Sequence, residues 1–228
     1  MSLILNIDTA TENAQVSLAK DGHVQVLRQN NSQKDHAAFL HVAISELLHE
    51  AAIALQALDA VAVTGGPGSY TGLRVSMASA KGICYALKKP LICLSTLELL
   101  ARSALLHLKE RGLAASSLLC PMIDARRMEV FTAIYNTQLV TALSPCTLIL
   151  DTLSFDEQLS QNDILFFGSG AEKWNKICDH VRASFTTVSP LPEAMSAFSE
   201  EYYKGNRFAE LASCEPAYLK AFQTVKKW

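Results

Sequence analysis

The sequence predicts an α/β fold built from two similar halves, and two internal repeats carry this prediction. In the first repeat an apolar strand ends in Ile-Asp and a polar bend leads into an alternating strand. This plan appears in “LILNIDTATENAQVSLAK” and again in “LLCPMIDARRMEVFTAIY”. In the second repeat a buried strand runs into a glycine-rich turn and then a helix, as in “DAVAVTGGPGSYTG” and “DILFFGSGAEKW”. Both repeats occur in the same order, which indicates a duplicated domain with mixed sheets.

The segments between the repeats complete each half. The pair “DG” at Asp21 and Gly22 predicts a hairpin. Helical periodicity predicts a helix over residues 34–54 and another over residues 71–87. The apolar face of the earlier helix consists of Ala37, Leu40, Ile44, Leu47, Leu48 and Ala51. After the strand “LICLS”, Ser95 and Glu98 form a capping box that opens a helix ending at Gly112.

These elements divide into two predicted domains, joined near residues 100–112. The N-terminal α/β domain covers residues 1–104 and includes the helices at 34–54 and 71–87. The C-terminal α/β domain covers residues 105–228, and its last helix can pack back on the first domain.

Composition excludes several classes of protein. Half of the 228 residues are hydrophobic and 18% are charged, so disorder is excluded, and a net charge of −2 argues against a stand-alone nucleic-acid binder. The N-terminus lacks the basic flank and apolar run of a signal peptide, and no stretch approaches the roughly 20 apolar residues of a membrane helix. The six cysteines form no C-x-x-C pair, which is typical of reduced thiols. We therefore expect a cytoplasmic protein.

The glycine-rich run “TGGPGSYTGLR” raises the question of a phosphate site. It lacks the G-K-[ST] ending of a Walker A loop, and the spacing of Gly66, Gly68 and Gly72 does not fit G-x-G-x-x-G. One interpretation is a structural turn in which Gly65, Gly66 and Gly68 adopt backbone angles that other residues avoid. Weak anion binding at the N-terminus of the following helix is the alternative.

Asp8 and Asp124 each end a strand just before a bend. In the superfamily of actin, Hsp70 and the sugar kinases, such aspartates begin phosphate hairpins near a magnesium ion, with glycine two residues further on. This chain has Ala10 and Arg126 there. One interpretation is a vestigial nucleotide site comprising Asp8, Asp124, Gly168 and Gly170, with Arg126 crowding the phosphate or contacting it from outside. The other is an aspartate that caps its own turn.

Other catalytic patterns are absent from the sequence. The six histidines form no H-x-x-x-H or H-E-x-x-H pair, so a two-histidine metal site on a helix is excluded, and no G-x-S-x-G nucleophile elbow is present. We expect neither a metal site nor catalytic residues.

The predicted helices carry a second face that is neither charged nor strongly polar. On the later helix this face consists of Val75, Ala78, Ser79, Gly82 and Ala86, and the earlier helix contributes Phe39 and Val42. A helix on an open sheet normally has charge on its outer face, whereas small residues allow another backbone to approach closely. Either both faces are buried within the chain, or the second face contacts a partner.

Several segments together resemble the bacterial TsaB family, also called YeaZ. They are “ILNIDTATENAQVSL”, “VAVTGGPGSYTGLRVSMASAKGICYALKKPLICLSTLELLA”, “MIDARRMEVF” and “EPAYL”. The resemblance spans nearly the whole chain. It implies the actin-like ATPase (ASKHA) fold with two RNase H-like halves. It also implies a part in making N6-threonylcarbamoyladenosine next to the anticodon of tRNA.

The resemblance also implies a non-catalytic role. The catalytic relative TsaD carries a metal-binding H-L-E-x-H where this chain has “TLELL”, so that Thr96 and Leu100 stand at the histidine positions. Neither side chain can replace imidazole on a metal. The implied partners are a TsaD-like catalytic subunit and a TsaE-like ATPase, and the two outer helix faces would form the contact with TsaD or a homodimer. The resemblance implies that tRNA is reached only through the complex. It implies no tightly bound cofactor, with ATP or ADP at the complex interface.

Two other functions compete with this one. An independent ATPase or kinase needs Asp8, Asp124 and “GSGA” to form a working site. A metallopeptidase needs ligands that the sequence does not supply.

Overall fold

Ten strands and six α-helices make up the described part of this computed structural model, which comprises residues 1–30, 36–111 and 118–219. The first half contains β1 (Leu3–Asp8), β2 (Ala14–Lys20), β3 (His23–Asn30), α1 (His36–Glu50), β4 (Ala60–Gly66), α2 (Tyr70–Leu87), β5 (Leu91–Ser95) and α3 (Thr96–Arg111). The second half contains β6 (Leu118–Asp124), β7 (Glu129–Tyr135), β8 (Thr141–Ile149), α4 (Asp156–Gln161), β9 (Ile164–Phe167), α5 (Ala171–Asn175), β10 (Ala183–Thr186) and α6 (Pro192–Lys204). A 3₁₀ turn lies at Leu55–Ala57.

The first sheet is mixed and has the order β3-β2-β1-β4-β5. Its first three strands are antiparallel neighbours, whereas β1, β4 and β5 are parallel. Asp21 and Gly22 both have positive φ, at 51° and 80°, and join β2 to β3, which confirms the predicted hairpin. Every residue of β4 is buried, because helices cover both faces of the sheet there.

The second sheet has the order β10-β9-β6-β7-β8, and its strands match those of the first sheet one by one. Strands β6, β7 and β8 are antiparallel neighbours, and β6, β9 and β10 are parallel. The helices follow the same plan, since each half reads β-β-β-α-β-α-β-α. The predicted duplication into two similar α/β halves with mixed sheets is confirmed.

The third helix of each half packs against the sheet of the other half. Apolar side chains of α3 pack with those of β6, β7 and β9, whereas α6 buries Ala194, Met195 and Phe198 against β1, β4 and β5. The two helices also contact each other, because Glu201 of α6 forms ion pairs with Arg102 of α3 and with Arg207. The boundary at residues 104 and 105 stays a prediction, and α3 runs across that position.

Helix α1 begins at His36 in the described residues, and residues 34, 35 and 112 lie outside them. Most of the predicted apolar face of α1 is buried or half-buried, but Ala37 is exposed, so its assignment to the core face was wrong. Contact with the core begins at Phe39 and Leu40, one turn into the helix. Helix α2 begins at Tyr70, one residue earlier than predicted, because Ser69 caps it and accepts a hydrogen bond from the Gly72 N–H at 3.3 Å.

The segment after α6 runs along the first sheet and reaches the second. Ala209 bridges Leu91 at the edge strand β5, and the Ala217 N–H donates to the Gly65 carbonyl at 2.7 Å. The Leu219 carbonyl then accepts from Thr147 of β8 at 3.1 Å. Sequence patterns did not predict this path.

The tail “KKW” lies outside the described residues, and within them every helix is too short or too polar to span a bilayer.

Candidate functional site

A cleft of about 860 Å³ lies between the two halves. Residues 10–13 of the bend after β1 line it on one side, and Asp124, Arg126 and Gly168 line it on the other. The charged side chains that line it within the described residues are Glu12, Asp124, Arg126 and Glu172. Three carboxylates and one guanidinium line the cleft, and because a lysine pairs with one of these carboxylates, a small excess of negative charge remains, which does not favour an anion.

Asp8 lies behind this cleft and is fully buried. Its Oδ1 accepts hydrogen bonds from the Ala10 N–H at 3.0 Å and the Thr64 hydroxyl at 2.8 Å. Its Oδ2 accepts from the Gln15 amide at 3.4 Å. The carboxylate therefore stabilises its own bend and ties β1 to β4, which agrees with the turn-capping interpretation.

Asp124 occupies the matching position in the second half but is exposed at the cleft. Its Oδ1 accepts from the Arg126 N–H and from the Lys173 ammonium, both at 2.6 Å. Asp124 therefore also caps its own turn, and its charge is paired with a lysine of α5. Arg126 stands in the left-handed region at φ 73°, where phosphate hairpins have glycine, and its exposed side chain lies at the cleft. The structure thus brings Asp124, Arg126 and Gly168 to the cleft and leaves Asp8 outside it.

The first glycine turn is held by close contacts more than by special backbone angles. Of the three predicted positions, only Gly66 has a positive φ, at 112°, so the backbone explanation was wrong for Gly65 and Gly68. A Cβ on Gly65 would overlap the Cys93 sulfur, and one on Gly68 would overlap the Ala10 carbonyl oxygen. Crowding by neighbouring elements explains these two glycines.

A similar contact holds the N-terminus of α2 against the bend after β1. The Ser69 N–H donates to the Ala10 carbonyl at 2.7 Å, and the Gly72 carbonyl accepts from the Thr9 hydroxyl at 2.8 Å. A Cβ on Gly72 would overlap the Thr9 carbonyl oxygen, a constraint that sequence patterns missed. The bend after β1 and the N-terminus of α2 are therefore in direct contact, with no room for a side chain between them.

The second glycine turn, which contains Gly168 and Gly170, also packs tightly against neighbouring strands. Gly168 has φ 93°, and a Cβ there would lie 2.5 Å from the Met122 carbonyl oxygen. A Cβ on Gly170 would lie 2.7 Å from a methyl group of Val130. The Gly170 N–H donates to the same Met122 carbonyl at 2.9 Å.

The start of α3 lies where the two halves meet. Thr96 is fully buried, and its hydroxyl has no hydrogen-bond partner among the described residues. Leu100 is 2% exposed and lies at the floor of the cleft, packed with the second sheet. Burial and the neighbouring Glu98 carboxylate raise the pKa of Tyr135 to about 12, although a hydrogen bond with Ser95 acts to lower it. The start of α3 thus carries the hydroxyl of Thr96 and the isobutyl group of Leu100, and the neutral phenol of Tyr135 belongs to the same cluster as Leu100.

The outer face of α2 forms a second candidate site, which we call the α1–α2 face. Ala78, Gly82 and Ala86 are exposed, whereas Val75 and Ser79 are half-buried. A Cβ on Gly82 would meet no atom within 4 Å in the part of the chain that the structure describes. Of the two α1 residues, Val42 is 57% exposed and Phe39 is half-buried against the core.

Two further residues belong to this face but were not predicted. Tyr85 is 80% exposed and follows Gly82 by three positions, so helical periodicity could have identified it. His41 of α1 lies 3.3 Å from the Ser79 hydroxyl and joins the two helices at the surface.

Comparisons with known proteins agree with this architecture. A family model described as TsaD, tRNA N6-adenosine threonylcarbamoyltransferase, matches residues 27–211. The tRNA threonylcarbamoyladenosine biosynthesis protein TsaB of Bacillus subtilis is 27% identical, over 99% of this chain and 97% of that protein. A Pseudomonas aeruginosa structure described as similar to the peptidase YeaZ has a TM-score of 0.82 and 26% identity, covering 96% of this chain and all of the other.

A more distant structure indicates the fold alone. The polyphosphate/ATP-glucomannokinase of an Arthrobacter species has a TM-score of 0.51 and 10% identity, over 89% of this chain and all of that one. It shares the actin-like ATPase fold that the two matching halves form here. The chain therefore belongs to the TsaD-related family and, within it, to the TsaB (YeaZ) group.

Proposed function

We propose that this chain is a non-catalytic subunit of the complex that forms N6-threonylcarbamoyladenosine in tRNA. In this proposal it binds and stabilises a TsaD-like catalytic subunit in the cytoplasm, works beside a TsaE-like ATPase, and reaches tRNA only through the complex. The observation that carries the proposal is the α1–α2 face, together with membership of the family.

The α1–α2 face has the composition of a helix-to-helix contact. Its centre carries small side chains on α2, and Val42 and Tyr85 stand at its sides as large exposed apolar groups. Glycine in a helix costs about 1 kcal/mol relative to alanine. Among the described residues, no neighbour requires it at Gly82. Close approach of a partner helix would explain the glycine and would bury the exposed apolar groups. The same face can pair two copies of this chain when the partner is absent.

The residues at the start of α3 support a non-catalytic role. Thr96 and Leu100 stand where TsaD has histidine ligands, and both are buried in the contact between the halves. A leucine cannot bind a metal, and an uncharged threonine hydroxyl is a poor substitute for imidazole. We therefore expect no metal-dependent peptidase or carbamoyl-transfer activity from the isolated chain.

The cleft does not fit the nucleotide of the related kinases. Asp8 is buried in its own bend, Arg126 replaces the glycine of a phosphate hairpin, and carboxylates outnumber the guanidinium of the lining. We infer that the isolated chain holds no nucleotide tightly and that ATP or ADP binds at the interface between subunits. This weighs against an independent ATPase or kinase.

Reconstitution of the modification tests the proposal. Purified TsaD-like and TsaE-like proteins, tRNA, the small-molecule substrates and ATP are combined with and without this chain, and the modified nucleoside is measured by mass spectrometry. We expect modification to depend on the chain and the chain alone to turn over no ATP. Equal modification without the chain, or magnesium-dependent ATP turnover by the chain alone, would refute the proposal.

A further inference from the structure

Three sulfur atoms from three separate elements meet beside the first glycine turn. Cys93 lies on β5, Met77 on α2 and Cys214 on the segment after α6. The Cys214 thiol is 3.7 Å from the Met77 thioether, and Cys93 is also its neighbour. All three side chains pack against the same hydrophobic core.

The surrounding chain makes room for this sulfur cluster. A side chain at Gly65 would overlap the Cys93 sulfur, so glycine is needed there for packing. Met77 is 3% exposed, whereas Cys93 and Cys214 are half-buried. Cys214 belongs to a surface segment, which offers an approach from solvent.

We propose that Met77, Cys93 and Cys214 bind a single monovalent copper ion. Thiolate and thioether sulfur are the soft ligands that Cu(I) prefers. Three sulfurs at about 2.3 Å from one metal, the distance typical of metal–thiolate bonds, would lie about 4 Å apart when arranged as a triangle. The Cys214–Met77 separation of 3.7 Å is already close to that value.

Zinc is a poorer occupant of the same cluster. Structural zinc sites use four ligands from cysteine, histidine or carboxylate. Among the described residues no three side chains of those types converge as a metal site. The third donor here is a thioether, which copper(I) accepts and zinc rarely does.

Copper binding would change both the protonation and the net charge of this cluster. Cysteine binds a metal as the thiolate, so each of the two thiols must lose its proton. Binding therefore releases two protons to solvent, and two thiolates with one Cu⁺ leave a net charge of −1. A positive charge is bound to the same segment, because the Lys81 ammonium donates to the backbone carbonyls of Cys214 at 2.8 Å and of Ala212 at 3.2 Å.

Anaerobic titration of the reduced full chain with Cu(I), in competition with a chromophoric copper(I) chelator, tests the proposal. We expect one ion per chain, with X-ray absorption showing only sulfur neighbours at about 2.3 Å. Cys214→Ser and Cys93→Ala should each weaken binding by roughly 100-fold or more, since losing even an outer partner of a metal site costs about 10–100-fold. Met77→Leu should weaken it less.

Cys178→Ser is the matched control, because Cys178 is a half-buried cysteine in the core of the second half. It should bind copper as the parent does. Circular dichroism and thermal denaturation show whether each variant is folded, and Cys214→Ser is decisive because its position lies on the surface segment. Equal affinity in parent and Cys214→Ser would overturn the proposal. So would a mass loss of two hydrogens with no metal retained, since the pair would then be a disulfide former.

Discussion

Replacing Gly82 by leucine separates a partner contact from a role in folding. Gly82 is exposed in the middle of α2, and a Cβ there meets no atom of the described residues within 4 Å. The new side chain should therefore enter solvent without strain. Removal of a helix glycine should raise the free energy of unfolding by about 0.5–1 kcal/mol. For a chain of this length that corresponds to an increase of roughly 1–4 °C in Tm.

Whereas Gly82→Leu should stabilise the chain, it should weaken the binding of the proposed partner. The small side chains at Ala78 and Ala86 leave room for a second helix to approach, and helix axes in such contacts lie about 8–10 Å apart. Four added carbons in that space overpack the contact, which costs about 1–3 kcal/mol. Since about 1.4 kcal/mol is a tenfold change, the Kd should rise by roughly 5-fold to 150-fold. Ala78→Arg should do the same and also bury a charge.

Titration calorimetry with a TsaD-like protein and thermal denaturation of the isolated chain provide the two measurements. Gly82→Ala is the graded control, because it gains the same helix propensity while adding a single methyl group. Lys176→Leu adds apolar bulk at an exposed position next to α5 and should leave binding unchanged. A folded Gly82→Leu variant that binds the partner like the parent refutes the interface. A loss of more than about 1 kcal/mol in stability shows instead that this face packs within the chain.

Three further predictions concern stability. Gly68→Ala should lower the free energy of unfolding by about 1–3 kcal/mol in urea denaturation, because its Cβ overlaps a carbonyl of the bend after β1; a neutral effect would contradict this packing. Asp8→Ala should cost about 2–4 kcal/mol by leaving two buried donors unpaired, whereas Asp124→Ala at an exposed ion pair should cost about 0–1 kcal/mol; equal effects would refute the asymmetry. Burial opposes ionisation of Glu201, but hydrogen bonds from two arginines lower its pKa overall. A carboxyl group whose pKa is lowered by folding stabilises the folded chain at pH values above its unfolded pKa, which is near 4.3. This stabilisation is lost as the pH falls. Glu201→Gln should therefore lose less stability than the parent between about pH 5 and pH 3, and an identical acid profile would count against that role.

Local patterns were sufficient to predict the fold because each element carries its own periodicity. Alternation identified the strands, and the “DG” pair at Asp21 and Gly22 identified the hairpin. The glycines depended on partners far away in the sequence, since Gly65 contacts Cys93 and Gly68 contacts Ala10. No local pattern reveals such contacts, so their cause was assigned to backbone angles. The packing of α3 against the second sheet and the path of residues 205–219 are tertiary features of the same kind.

The duplicated plan explains how one glycine turn positions a long helix. In the second half, the turn leads into α5, which has five residues and buries Trp174 among the aromatic side chains of that core. In the first half, the matching turn leads into α2, which has 18 residues and extends well beyond the bend after β1. Helix α2 can start against that bend only because Gly68 and Gly72 have no side chains, and its first free N–H groups are then used by Ala10 and Ser69. The bare loop therefore positions a long helix, and the exposed face around Gly82 is what that helix presents.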